Sequence, residues 1–221
     1  MNCLHILKYL HYNSMMKTVE NIIFDFGGVI LNLDEQATFS QLQLLMGKSA
    51  SDIPKIMELS RFYDFECGKI TEHEFIENLL ALSNNPFSKQ DFISAWNAML
   101  LDFPQKHVNL LLSLKTHFRT FLLSNTNVIH IEAFEKNMKQ QGITFSMSDL
   151  FEEVWYSSSI GMRKPNPETY RAVTQKVNII PERTLFLDDK QENLNGAAQI
   201  GLQTMLVTPT NSICSIFKSF L

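Results

Sequence analysis

Four short stretches of the chain end on residues that can do chemistry together. NIIFDFGGV at 21–29 runs an apolar segment into Asp25 and then into Gly27 and Gly28, which carries a carboxylate to the mouth of a tight loop. RTFLLSN at 119–125 ends in the hydroxyl of Ser124 and the amide of Asn125, and TLFLDD at 184–189 ends in two acids, Asp188 and Asp189. GMRKPNP at 161–167 supplies a cation, Lys164. The carboxylates of Asp25 and Asp188 are hard oxygen donors of the kind that suit Mg²⁺, which keeps several waters and is usually held by one or two carboxylates together with a substrate phosphate. Lys164 and Ser124 then match the charge and the hydrogen-bonding needs of a phosphoryl group. A carboxylate is also able to attack phosphorus and form an aspartyl-phosphate, which gives Asp25 a second role beside ligation.

These residues converge only if the right elements carry them. The runs at 21–25, 119–125, 153–158, 184–189 and 203–208 are near-continuously apolar, and helical patterns at 104–117, 129–141, 167–177 and 191–200 separate the later ones. That is the signature of a parallel sheet buried on both faces, so the fold class is α/β, doubly wound. Gly201 suits the end of the last helix, and Pro167 the first turn of the third. In such a sheet the ligand site lies beyond the carboxyl ends of the strands, where Asp25, Ser124, Asn125, Asp188 and Asp189 all fall and where the loop bearing Lys164 begins.

A crossover needs about a dozen residues, yet roughly 90 separate the first two strands. The stretch between them has helical periodicity at about 37–47, 52–64, 71–82 and 88–101 and almost no strand pattern, so it reads as an inserted helical subdomain over 37–101. The core domain is then 18–36 and 102–221, and residues 1–17 read as an N-terminal extension. His5, Lys8 and His11 interrupt any signal-peptide core there, and Met15-Met16 offers an alternative start.

The chain has 221 residues, 45% of them apolar, enough for a sizeable core. Its formal net charge of −4 and the absence of a long basic run speak against nucleic acid or an anionic membrane as partner. No apolar run is long enough to span a bilayer. Cys3, Cys67 and Cys214 lack the spacing of a zinc site or a disulfide framework, which points to a reducing, cytoplasmic setting. A small-molecule substrate is the expected partner.

Asp25-Phe26-Gly27-Gly28-Val29, Ser124-Asn125-Thr126-Asn127, Lys164 with Pro165 and Pro167, and Asp188-Asp189 with Asn193 resemble, in order, the four motifs of the haloacid dehalogenase superfamily. The resemblance covers about 18–221 and includes the insertion, which is similar to a C1 helical cap; FECGKIT at 65–71 looks like a segment of such a cap. It implies a Rossmann-like core, a nucleophilic Asp25, a phosphate-binding Ser124, a Lys164 that steadies nucleophile and intermediate, and Mg²⁺ held by Asp25, Asp188, Asp189 and the carbonyl of Gly27. Substrate contacts are expected from Ser124, Asn125, Lys164, Gly28 and the cap residue Glu66, with Lys69 beside it a further candidate. Asn193 is either a site residue or an ordinary early helix position.

Gly27 departs from the pattern. Many phosphatases of this family carry a second aspartate there as general acid and base, and a positioned proton donor is typically worth on the order of 10²–10⁴ in rate. The expected activity is a Mg²⁺-dependent phosphatase of a small phosphorylated metabolite, a sugar phosphate foremost. The alternatives are a metal-independent 2-haloacid dehalogenase and a catalytically idle phosphometabolite-binding protein.

Overall fold

The computed structural model describes residues 18–220. The expected extension at 1–17, with Cys3 and the alternative start at Met15-Met16, lies outside the described residues.

Five parallel strands form one sheet: β1 (Asn21–Phe24), β2 (Arg119–Ser124), β3 (Glu153–Tyr156), β4 (Thr184–Asp188) and β5 (Gln203–Leu206), in spatial order β3-β2-β1-β4-β5. The chain leaves β1 toward β2 and β3 and returns to its other side with β4 and β5, so the order reverses at β1, where an open α/β sheet has its ligand crevice. Successive side chains of a strand point to opposite faces. Ile22 and Phe24 accordingly join Leu122, Leu185 and Leu187 in one core, while Ile23 joins Phe121, Leu123 and Phe186 in the other.

Between β1 and β2 lie α1 (Glu35–Met46), α2 (Ile53–Leu59), α3 (Phe62–Glu66), α4 (Glu72–Leu82) and α5 (Lys89–Trp96), and then α6 (Gln105–Leu114), which packs on the sheet. Helices α1 to α5 bury a separate core of Leu42, Met46, Ile56, Phe65, Phe75, Leu79, Phe92 and Trp96. Local chemistry starts and stops them. Thr71 with Glu74 and Ser88 with Asp91 form capping boxes, and Gly47 closes α1 in the left-handed conformation. The periodicity over 52–64 suggests one helix, but the backbone breaks at Arg61, whose φ is 62°, and α2 and α3 result. Asn78 stabilises the break by donating to the Ser60 carbonyl at 3.2 Å. The two connections to the sheet run side by side: Leu101 N–H donates to Asn32 O at 3.1 Å, Asn32 N–H to Asp102 O at 3.0 Å, and Asp34 N–H to Met99 O at 2.9 Å.

The remaining helices flank the sheet. They are α7 (Val128–Gln140), α8 (Met147–Leu150), α9 (Ser157–Ile160), α10 (Pro167–Lys176), α11 (Gln191–Ala198) and α12 (Ile213–Ile216). Side chains of α6, α7, α8 and α12 enter the first core and those of α10 and α11 the second, so the sheet is covered on both faces. The third apolar run is strand only to Tyr156, because Ser157 opens α9. No helix among the described residues is long and apolar enough to cross a membrane. Cys67 and Cys214 are free thiols.

Candidate active site

Register brings the acids together. Phe24 of β1 is level with Leu187 of β4 and Asp25 N–H donates to Leu187 O at 2.8 Å, so the next residues, Asp25 and Asp188, emerge side by side. Phe24 is also level with Leu122, which sets Ser124 at the end of the neighbouring strand. All three side chains are buried. Asp25, Asp188 and Asp189 each offer an oxygen within 4.8 Å of the others.

Lys164 sits between two of these acids, 1% exposed, and its Nζ donates to Asp25 Oδ1 and to Asp188 Oδ2, both at 2.7 Å. Burial opposes its charge, but Asp25 and Asp188 outweigh burial and raise its pKa, so it stays an ammonium. Its backbone is clamped: Asn125 Oδ1 accepts from Lys164 N–H and Asn125 Nδ2 donates to Lys164 O, both at 2.9 Å. Asn125 therefore lines the crevice while its amide holds the loop that carries the cation. Asn193 donates to both oxygens of Asp188, at 2.9 and 3.0 Å, and Lys190 N–H donates to Oδ1 at 2.8 Å, which orients that carboxylate.

The charges do not balance. Asp25, Asp188 and Asp189 crowd the buried Lys164 ammonium, while Lys190 nearby is paired with a further acid, Glu35; burial, with the neighbouring Asp188 and Asp189 added, pushes Asp25 up to about 7 against the pull of Lys164. Burial and Asp188 raise Asp189 as well. A divalent cation is what hard, crowded oxygens of this kind fit, since it relieves the mutual repulsion.

Gly27 and Gly28 differ in why they are glycine. Gly28 has φ +75°, and a Cβ there would fall 2.5 Å from Asp189 Oδ2, so the backbone passes directly beneath that exposed acid. Gly27 lines the crevice outside the positive-φ region, and a Cβ there would meet only the tip of Leu33, at 2.5 Å from Cδ1. A side chain at this position meets no left-handed backbone strain but requires the Leu33 side chain to turn aside.

A cleft of about 710 Å³ opens from these groups toward α1, α2, α3 and α5. Glu66 of α3 lies on it, buried, with Oε2 accepting from Arg163 Nε at 2.6 Å. Burial raises the Glu66 pKa and Arg163 opposes that rise. Lys69 is exposed, 3.9 Å from Asp64, and does not line the cleft. Reading along the chain passed over Arg163, whose only signal was its place next to Lys164. Ser157 was missed as well: its hydroxyl donates to Glu66 O at 2.6 Å and accepts from Thr126 N–H at 2.9 Å, tying the helical layer to the loop after Ser124.

Residues 22–207 match the model of the haloacid dehalogenase-like hydrolases. The chain is 27% identical over 188 residues to a D-ribitol-5-phosphate phosphatase of Bacteroides thetaiotaomicron, covering 84% of this chain and 90% of that one. It is 24% identical over 205 residues to a sesquiterpene phosphatase of Aspergillus oryzae, covering 90% and 95%. Its fold superposes with TM-score 0.80 and 31% identity on a haloacid dehalogenase-family enzyme of Bacteroides thetaiotaomicron solved with magnesium and inorganic phosphate, over 90% of this chain and 99% of that one. L-2-haloacid dehalogenase structures share the fold, at 18% identity and TM-score 0.57 for one of them. Over nearly its whole described length, then, this chain belongs to the haloacid dehalogenase-like hydrolase family.

Proposed function

We propose that this protein is a Mg²⁺-dependent phosphatase of a small phosphorylated metabolite, a sugar or polyol phosphate foremost, that works through an aspartyl-phosphate on Asp25. The observation that carries this reading is the cluster of Asp25, Asp188 and Asp189 at the switch point of the sheet, the first two buried and bridged by the Lys164 ammonium and the third exposed beside them. Two phosphatases similar to it, and the related structure holding magnesium and phosphate, support it. The same three carboxylates weigh against a metal-free attack on carbon.

Asp25, Asp188, Asp189 and the carbonyl of Gly27 would hold the metal, which when bound supplies charge neutralisation for the phosphoryl oxygens. A carboxylate oxygen of Asp25 attacks phosphorus; the new O–P bond forms as the ester O–P bond breaks, and the organic group leaves as an alcohol once it is protonated. Water then attacks phosphorus, the bond to Asp25 breaks, and inorganic phosphate departs. Lys164 holds Asp25 in position and offsets negative charge as it develops, and Ser124, with Gly28 at the loop, borders the phosphoryl group. Asn125 keeps the Lys164 loop in place. The insertion over 37–101, with most of α1 and all of α2 to α5, acts as the cap, with Glu66 facing the substrate. Unpaired Cys67 and Cys214 support a reducing, cytoplasmic setting.

The test is phosphate release from a panel of phosphate esters. Mg²⁺ should support turnover, EDTA should abolish it and added Mg²⁺ should restore it. Asp25→Asn should lower kcat by about 10³-fold or more while the protein stays folded, because an amide is a poor nucleophile and a weak ligand. Near-wild-type turnover in Asp25→Asn overturns the reading, and halide release from 2-haloacids in EDTA replaces it with the dehalogenase.

A further inference from the structure

The cleft between helices α1 to α5 and the sheet end has walls whose polar groups are mostly taken. Thr38 donates to Trp96 O at 2.8 Å and accepts from Met99 N–H at 3.0 Å. Asn127 accepts from His130 N–H at 3.1 Å and lies 3.3 Å from its ring Nδ1. Lys190 is paired with Glu35 at 2.8 Å. Between these the wall is apolar, with Phe39, Met57, Phe62 and Trp96 among its side chains.

Glu66 and Arg163 are different. Their contact uses Oε2 and Nε alone; among the described residues Glu66 Oε1 accepts no hydrogen bond, and the two terminal nitrogens of the guanidinium donate none. Both residues line the cleft, and Oε1 is not among the sealed, partnerless polar atoms. The pair is held rigidly. The guanidinium lies 4.3 Å from the centre of the Tyr63 ring, Arg163 O accepts from Thr169 at 2.9 Å, and the next residue is the clamped Lys164. Glu66 is fixed from below by the Ser157 hydroxyl on its carbonyl.

We infer that the Glu66–Arg163 pair is the specificity-determining element of the cleft, a rigid acceptor-and-donor edge that selects phosphate monoesters of uncharged, hydroxyl-bearing organic groups. This rests on the phosphatase reading above and names which half of the substrate the cap reads. A hydroxyl is both donor and acceptor, so neighbouring hydroxyls can give a proton to Glu66 Oε1 and accept one from Arg163. The pair carries no net charge, so a second phosphate or a carboxylate gains from Arg163 but is repelled by Glu66. A hydrocarbon group offers no partner to Glu66 Oε1 or to the terminal guanidinium nitrogens and displaces the water that would otherwise serve them, which a polar site penalises more than it penalises a poor shape fit.

The experiment compares kcat/KM for four phosphoryl compounds on the Mg²⁺-loaded protein: a pentitol 5-phosphate, pentyl phosphate, a pentitol 1,5-bisphosphate, and acetyl phosphate, which has no hydroxyl for the pair to read. Wild type should favour the pentitol ester over pentyl phosphate and over the bisphosphate by about tenfold or more. Glu66→Gln should cut the pentitol-to-acetyl-phosphate ratio by about tenfold, mainly through KM, and move preference toward the bisphosphate. Arg163→Met should cut the same ratio without that move. The inference is overturned if wild type prefers pentyl phosphate or the bisphosphate. It is also overturned if both variants lower every ester in the same proportion, which is what a merely structural pair would do. The wild-type series decides even if a variant fails to fold. Turnover of acetyl phosphate without discrimination sinks this inference alone; no turnover of any ester sinks the phosphatase reading with it.

Discussion

Gly27 is the residue whose identity most shapes the expected kinetics. With no carboxyl there, and with Glu66 held by Arg163, an alkoxide departs without a positioned proton donor beside Asp25. The rate should therefore fall steeply as the leaving group becomes more basic, with anomeric sugar, acyl and aryl phosphates faster than primary alkyl phosphates. Gly27→Asp should flatten this slope, raising kcat/KM for alkyl phosphates by about tenfold or more toward the value a general acid supplies. The backbone there is not in the left-handed region, and the new Cβ would meet only the Leu33 side chain, which has to turn aside. A series of esters graded in leaving-group pKa checks this, and a flat wild-type profile would show that the proton comes from elsewhere. At Gly28 the same change is not tolerated, since positive φ and Asp189 both oppose a side chain.

Among elements, the junction of α5 with α7 is the place where acid should first loosen the molecule. His130 on α7 is buried; its Nε2 lies 3.1 Å from Trp96 O, and its ring stacks on Trp96 at 5.4 Å. Burial pushes its pKa down to about 4 despite the hydrogen bond to Trp96, against 6.5 for an ordinary histidine. A group whose pKa is lowered by folding binds fewer protons in the native state, so its contribution is complete above pH 6.5 and is lost as pH falls through about 4. Thermal stability should decline across that window, and His130→Gln, which keeps a donor for Trp96 O but does not titrate, should make the decline shallower. Melts from pH 7.5 to 4 in both proteins test this; identical slopes would refute it. Trp96 O also accepts from Thr38, so the loosened helix is one that borders the substrate cleft.

For the whole molecule, the excess of carboxylates at the sheet end makes stability depend on the metal. A ligand bound only by the native state stabilises it by about 2.7 kcal/mol at a hundred times its Kd. In a protein of this size that corresponds to a rise in Tm of about 5–10 °C. Mg²⁺ should produce such a rise, EDTA should reverse it, and Asp189→Asn should diminish it, because Asp189 is exposed and the substitution takes a charge from the proposed ligand set without emptying the core. Differential scanning calorimetry decides, and a Tm that is the same in Mg²⁺ and EDTA would argue against a resident cation.

How much of this was legible along the chain follows from the range of the interactions. Asp25, Ser124 and Asp188 end continuous apolar runs, and a run of that kind has to be a buried strand whose last residue meets the loop, so sheet, site and order of motifs could all be read from neighbours in sequence. Capping boxes at Thr71 and Ser88 and the left-handed Gly47 are likewise local. The sequence alone determined an α/β chain with acids, a hydroxyl and a lysine at one sheet edge. Tertiary structure decided what holds them and what faces them. Asn125 reaches Lys164 across 39 residues, and Glu66 reaches Arg163 across 97. Gly196 is small because its Cβ would stand 2.1 Å from Pro165 O. At the break before Arg61 the Ser60 carbonyl accepts from Asn78 of another helix. None of these pairings has a period or a spacing, because each is set by which surfaces the packed cores bring into contact, and that is settled only when the whole chain has folded.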